Sequence, residues 1–524
     1  MLFKRKSLRF QISFVIIFLA LSQIVMAEPA QLWDNLKPGS YAVGFKTIEK
    51  YDYSRVFQPK TDYFGNIQEG ERARPIQICI WYPAIADSDN WPMVYGEYVY
   101  PYPENENFIN LLSNLQNREL QTLMTATGNR GVVADAMNGG FAGLRDAQAA
   151  EGQFPLLLYF PDLTGSYCEQ AVLCEYLASR GFIVATTHSL GMSSLNPEPI
   201  PADLENMIRD KEFALAVMRD SPNWDQNKLA VLGTGIGGLG ALNMQMRNTD
   251  VDAVVGMDSW YVMADHQDLT QHSPSFNFMR ANAPILQIYG HNNTTDFSML
   301  DSLAYADRYS LDMLNFRPNE FAHYYMFSAM YSGELYSGAQ IYRDSYKLVC
   351  QYAANFLDAI LNNNESAQTI MQAAVADNGF DPELAQMTFK GGADLPPNQN
   401  QFTAILMSDQ IDVAVELFNK FHGSNPNLVL FDENTANMLG YQLLQQGRTA
   451  DAIKVFVMNT EAYPASCNVW DSLSDAYLAA GDNDNALKCV RKALETLPTD
   501  TNTNEATKDA IRTGCQEKLS QLEG

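Results

Sequence analysis

The chain has 524 residues, 46% apolar and 18% charged, the composition of a chain that buries cores and not of a disordered one. At ~150 residues per domain it should hold about three domains. Lys and Arg number 35 against 61 Asp and Glu, a net charge of -26, which argues against DNA, RNA and anionic lipid as partners, because all three bind basic surfaces.

Lys4, Arg5, Lys6 and Arg9 precede an apolar run from Ile12 to Leu21, and Val25-Met26-Ala27 offers small residues where a signal peptidase reads. Residues 1–27 are expected to be a signal peptide and the mature protein secreted or periplasmic. No later stretch reaches ~18 unbroken apolar residues, so no membrane span is expected after cleavage. The cysteines (Cys79, Cys168, Cys174, Cys350, Cys467, Cys489 and Cys515) show no C-x-x-C spacing and read as buried small hydrophobes, not metal ligands.

Residues 39–84 read as strands, with Ile76, Ile78 and Ile80 alternating with Gln77 and Cys79. Residues 85–150 are a polar, Asn-rich insertion of weak helical character, a candidate cap or lid. From 154 the pattern becomes strand–helix repeats. Phe154 to Phe160, Phe182 to Thr187, Leu229 to Leu232, Val251 to Met257 and Pro284 to Tyr289 are continuous apolar runs. Leu204, Met207, Ile208, Leu215 and Met218 share one helix face between them. Such doubly buried strands imply a mainly parallel sheet with helices on both faces, spanning residues 28–362. Residues 363–400, with Leu395-Pro-Pro-Asn at their end, read as a linker containing a short helix.

The last part, 401–524, is periodic. Gly447 and Gly481, Leu439 and Leu473, Ala452 and Ala486, and Pro464 and Pro498 are each 34 residues apart. That period resembles the tetratricopeptide repeat, an all-α solenoid of helical hairpins, with 504–521 as the polar capping helix. The resemblance implies either a surface for a protein or peptide partner or a buttress for the sheet.

One segment reads two ways. Gly233-Thr-Gly235-Ile-Gly-Gly238 follows a strand and opens a helix, with Asp258 20 residues beyond, the spacing of a dinucleotide site. The same strand–turn–helix is the nucleophile elbow G-x-S-x-G with its middle residue changed to Gly235. The preceding strands and insertion favour the elbow, so no cofactor is expected. Tyr41-Ala-Val-Gly44, Ile80-Trp-Tyr-Pro-Ala84, Leu156-Leu-Leu-Tyr-Phe-Pro161, Leu177-Ala-Ser-Arg-Gly-Phe-Ile-Val-Ala185 and the elbow itself resemble the platelet-activating-factor acetylhydrolase and dienelactone-hydrolase branch of the α/β-hydrolases.

The resemblance implies an α/β-hydrolase fold of the esterase or lipase type, with a catalytic Ser at 235, an acid at Asp258 and a base at His323. Asp296 is the alternative acid. Ile236 and Leu163 are the expected oxyanion N–H donors. Gly235 has no atom that can attack an acyl carbon. Pro161 lacks an N–H, and Asp162 brings a carboxylate to the oxyanion side. The expectation is a pseudo-hydrolase that binds a small acyl or ester-like ligand, or a protein partner, without turning it over. Two alternatives stay open: an active hydrolase of carboxylic esters with an atypical nucleophile (Ser166, Ser189 or Ser259 near strand ends, Thr234 being expected to point away from the His), and an interaction scaffold acting through its repeats. His188, His266, His272 and His291 share no metal-ligand spacing, so no metal is expected.

Overall fold

The structure is a computed structural model. It describes residues 31–523 apart from 62–63, 68, 88, 101–102, 104, 164, 264–268, 270–271, 275, 292–294, 318–319, 332–337 and 409. The expected signal peptide and His266 lie outside the described residues. The chain divides into two compact units between Ala393 and Asp394.

The first unit is built on one sheet of eleven strands among the described residues. They are β1 (Ala42–Val56), β2 (Ala73–Ala84), β3 (Pro92–Val94), β4 (Gly140–Arg145), β5 (Phe154–Phe160), β6 (Ile183–Thr187), β7 (Trp224–Thr234), β8 (Ala253–Met257), β9 (Ile285–Gly290), β10 (Arg308–Met313) and β11 (Ala385–Lys390). Their order is β11-β10-β9-β8-β7-β5-β6-β2-β1-β4-β3. The six strands from β5 to β10 run parallel, each to its neighbour. β2 joins β6 antiparallel, β1 joins β2 antiparallel, and β11 closes the far edge antiparallel to β10.

The continuous apolar runs follow from this placement. Every residue of β5, Phe-Pro-Leu-Leu-Leu-Tyr-Phe, is buried. Leu157 and Tyr159 enter the core on one face with the helices Ala171–Ser179 and Ala339–Leu361, while Leu156, Leu158 and Phe160 enter the core on the other face with Pro201–Met218 and Ile236–Arg247. Period-2 alternation thus feeds two cores at once. Each such side chain contributes about 1.5–3 kcal/mol by leaving water.

Two regions differ from the sequence expectation. The insertion at 85–150 supplies helices, α1 (Ile109–Thr127) and α2 (Arg130–Met137) among them, but also β3 and β4, and β4 extends the sheet parallel to β1. The stretch read as a linker carries a helix, Glu365–Gln372, capped by the Asn364 side chain, and then β11, whose pairing with β10 runs from Arg308↔Lys390 to Met313↔Ala385. Most of 363–400 therefore belongs to the sheet unit. Only Ala385 of β11 is buried, so this edge strand shows no apolar alternation.

The second unit is all helical: Gln399–Met407, Ile411–Ser424, Glu433–Gln445, Thr449–Ala462, Cys467–Ala479, Asn483–Thr496 and Glu505–Glu523. The hairpin starting at Glu433 and Thr449 recurs at Cys467 and Asn483. Gly447 and Gly481, at φ +76° and +75°, sit at the same place in the two hairpins. The seven cysteines are buried free thiols.

Candidate active-site cleft

β7 ends at Thr234, and Gly235 turns the chain directly into α3 (Ile236–Arg247). Gly235 holds φ +56° and ψ -124°, a conformation that strains any residue with a Cβ. A Cβ on Gly237 would stand 2.1 Å from the Phe160 carbonyl oxygen, so only glycine lets helix and strand approach this closely. This sharp strand-to-helix turn at the C-terminal edge of the sheet is a nucleophile elbow in shape.

The space above the elbow is filled from the opposite loop. Asp162 follows β5 after Pro161. A Cβ on Gly235 would lie 2.2 Å from Asp162 Oδ1 and 3.0 Å from Oδ2. The Ile236 N–H, the expected oxyanion donor, donates to Asp162 Oδ1 at 3.1 Å. Asp162's own N–H donates to Glu169 Oε1 at 2.8 Å. Leu163 lies in the turn that the Gly165 N–H closes on the Asp162 carbonyl at 3.0 Å.

Glu169 is 2% exposed. Its Oε1 also accepts the Tyr159 hydroxyl at 2.5 Å, and that hydroxyl lies 3.1 Å from Thr234 Oγ1. Burial, followed by the charge of Asp162, pushes the Glu169 carboxyl up to about 8, so it is a neutral acid at pH 7. Thr234, weighed as a replacement nucleophile, is part of this network.

Asp258 and His323, the expected acid and base, each follow a strand of the parallel sheet. Asp258 follows β8 at φ +49°, 3% exposed, with its N–H donated to the Ile288 carbonyl at 2.7 Å. His323 follows β10, fully buried, and its backbone N–H donates to the Glu169 carbonyl at 3.1 Å. Its ring packs among Tyr95, Phe141, Tyr324 and Phe327, with centroids 4.6–6.2 Å away. Among the described residues neither ring nitrogen has a hydrogen-bond partner. Burial lowers its pKa to about 3, which keeps the ring neutral. Among the described residues no hydrogen bond joins the His323 ring to Asp258. Asp296 accepts the Ser298 N–H on Oδ1 at 2.8 Å and its own N–H meets the Val262 carbonyl at 2.9 Å.

Ser166 Oγ meets Cys168 Sγ at 3.3 Å, and Ser189 and Ser259 are buried. His188 Nε2 lies 3.0 Å from Gln77 Oε1, and His291 Nδ1 lies 2.8 Å from Asp312 Oδ2. Among the described residues no three His, Cys, Asp or Glu side chains converge as a metal set.

A cleft of about 520 Å³ opens over this site. Asp162, Gly165 and Glu169 line it from the segment after β5, Tyr324 from the start of the helix Tyr324–Tyr331, and Arg118, Gln121, Thr122 and Thr125 from α1, so the insertion forms the cleft's roof. Arg118 donates to the carbonyls of Leu195 (2.6 Å) and Ser189 (3.1 Å). Next to it, Glu119 is buried and accepts the hydroxyls of Tyr95 (2.5 Å) and Tyr324 (3.0 Å), which pins the roof helix down. Sequence reasoning missed Glu169, Arg118 and Glu119, since none sits in a spacing pattern.

Elbow, parallel sheet and covering helices decide the architecture. The fold of the first unit is that of the α/β-hydrolases. No family model matches the chain. The chain is 30% identical over 105 residues to cutinase 2 of Thermobifida cellulosilytica, covering 20% of this chain and 38% of that protein. It is 28% identical over 113 residues to cutinase est2 of Thermobifida alba (21% and 36%), and 30% identical over 105 residues to cutinase cut1 of Thermobifida fusca (20% and 31%). The chain thus spans about a third of the length of these curated relatives. Among solved structures it is similar to a ferulic acid esterase from Streptomyces cinnamoneus, with TM-score 0.47 and 19% identity over 69% of this chain and 98% of that one. Among the described residues no helix is long and apolar enough to cross a membrane.

Proposed function

We propose that this is an α/β-hydrolase-fold protein that binds an acyl or ester-like ligand, or a protein partner, without acyl transfer at the elbow. One observation carries the reading. The Asp162 carboxylate stands where a side chain on residue 235 would stand and takes the Ile236 N–H. Acyl transfer needs an attacking atom, a base to deprotonate it and donors aimed at the developing oxyanion. Gly235 supplies no attacking atom. His323 is not among the residues that line the cleft, and its ring is packed among four aromatics. The Ile236 N–H already holds an anion, and a second negative oxygen beside it would be repelled.

The N-terminal cation–apolar pattern supports export to the periplasm or medium. The quoted stretches support the acetylhydrolase and dienelactone-hydrolase branch. The 34-residue recurrence of the helical hairpin supports a tetratricopeptide-like solenoid, and through it a protein or peptide partner.

The test is turnover of 4-nitrophenyl acetate and butyrate by the purified mature chain. The reading expects no rate above that of a heat-unfolded control. A saturable rate that survives further purification would overturn it.

A further inference from the structure

The roof helix α1 brings one stripe of side chains, Arg118, Gln121, Thr122 and Thr125, to the cleft. We propose that this stripe is a receptor for the C-terminal end of a peptide, with the terminal carboxylate on Arg118 and the peptide backbone along the following turns of the helix. The proposal rests on the reading of the cleft as a binding site without acyl transfer, and names the partner chemistry.

Arg118 supplies the seat for the anion. Its Nη1 donates to two backbone carbonyls, those of Leu195 at 2.6 Å and Ser189 at 3.1 Å. These bonds use both Nη1 hydrogens and fix the plane of the guanidinium. The Nε–H and one Nη2–H then lie side by side on its other edge, and Arg118 lines the cleft. That edge matches the two oxygens of a single carboxylate. Among the described residues no carboxylate pairs with it. Glu119, next in the chain, has its oxygens on the hydroxyls of Tyr95 and Tyr324. Burial lowers the pKa of Arg118, as for any cation cut off from solvent. Of the lining residues Arg118 alone is cationic, and the Asp162 carboxylate is engaged at the elbow by the Ile236 N–H.

The rest of the stripe selects what the carboxylate is attached to. Gln121, Thr122 and Thr125 follow Arg118 at helical spacing, so the stripe runs along about 10 Å of α1. An extended peptide rises ~3.3 Å per residue, so about three residues lie along it. Thr122 Oγ1 donates to the Arg118 carbonyl at 3.1 Å, and Thr125 Oγ1 donates to the Gln121 carbonyl at 2.8 Å. Both hydroxyl hydrogens are thus engaged within the helix, and toward a ligand these oxygens only accept. A peptide brings backbone N–H groups to them; the hydrocarbon body of a simple acid brings none. The Gln121 amide both donates and accepts, as a peptide unit does. The volume of about 520 Å³ lies in the ordinary range for small-ligand sites. The contacts are to backbone and carboxylate, so a peptide of alanines suffices as the ligand.

The probe is acetyl-trialanine with a free C-terminus, compared with its C-terminal amide and with 3-phenylpropanoate. Binding to the full mature chain is followed by saturation-transfer NMR, which reads affinities into the millimolar range. The amide should bind about 10- to 100-fold more weakly than the acid, the usual loss when a hydrogen-bonded charge is removed. Arg118→Lys keeps the charge but not the fork; it should weaken the acid several-fold and leave the amide unchanged. Gln121→Glu leaves the Arg118 carbonyl bonds in place and sets a competing carboxylate one turn away, so it should do the same. No binding of the peptide acid, or equal binding of acid and amide, would overturn the proposal. So would 3-phenylpropanoate binding as tightly as the peptide, because the stripe beyond Arg118 would then be idle. An acid preference that both variants retain would overturn the assignment to Arg118. Ester turnover bears on the elbow alone, so the two readings fail separately.

Discussion

The Ile236 N–H donates to Asp162 Oδ1 at 3.1 Å. That single bond joins the residue after the elbow to the loop after β5, the two segments that would together bind an oxyanion in an acyl-transferring α/β-hydrolase. Here they bind each other through a carboxylate.

Restoring the missing serine should therefore not restore activity. Gly235→Ser places a Cβ 2.2 Å from Asp162 Oδ1 and puts a non-glycine residue at φ +56°. The strain costs about 1–3 kcal/mol before any displacement of Asp162. The variant should show a lower urea midpoint and no fluorophosphonate adduct. Adding Asp162→Ala should recover part of the stability but still give no adduct, because His323 remains among its aromatic neighbours. A stable, labelled single variant would show that Asp258 and His323 do serve the elbow.

Replacing His323 should be harmless to the fold. Among the described residues both ring nitrogens are buried without a partner, and an unsatisfied buried polar group costs about 1–3 kcal/mol. His323→Phe should leave the unfolding free energy unchanged or raise it. A loss beyond about 2 kcal/mol in denaturant titration would mean that the imidazole nitrogens hold bonds that matter.

Glu169 makes stability depend on pH with a definite sign. Its folded pKa of about 8 exceeds its ordinary value of 4.5, so the folded chain binds this proton more tightly than the unfolded chain. Its contribution is complete below about 4.5, declines as pH rises toward 8, and is lost above that. Glu169→Gln removes the titration and keeps an acceptor for Tyr159. Melting temperatures measured from pH 5 to 9 should fall less steeply for the variant than for wild type. Parallel slopes would place the ionised form in the native cleft.

The unit boundary gives a paired truncation test. A chain ending at Ala393 keeps β11 and should fold with a cooperative melt. One ending at Asn362 exposes the open edge of β10 and should melt earlier or aggregate. Equal behaviour of the two fragments would make β11 dispensable.

How far the sequence carries the account depends on where information is local. The strands from β5 to β9 were legible because burial on both faces demands unbroken apolar runs such as Phe154 to Phe160. The elbow was legible because its geometry is met by glycines adjacent in sequence. The helical hairpins were legible because Gly447 and Gly481 recur at a fixed interval. β11 was not, since an edge strand with little burial needs no apolar pattern; nor was β4, a short Gly-containing strand held between β1 and β3 by pairing distant in sequence. Neither were Glu169 and Glu119. Each is made significant by partners far away in the chain, as in the 205-residue separation of Glu119 and Tyr324. His323 illustrates the same limit. Its position after the last parallel strand fits the role of a base, while its surroundings, Tyr95 and Phe141 from the insertion, are set by tertiary packing.

The most direct measurement is intact-mass spectrometry of the wild-type mature chain after exposure to a fluorophosphonate in large excess. With Asp162 seated over Gly235 and the Ile236 N–H engaged, the account expects no adduct at any serine or threonine. Removing a triad nucleophile costs about 10⁶-fold in rate, so residual labelling should stay below detection. A stoichiometric adduct on a single Ser or Thr, lost when the protein is unfolded beforehand, would contradict the account and show that this cleft still transfers acyl groups.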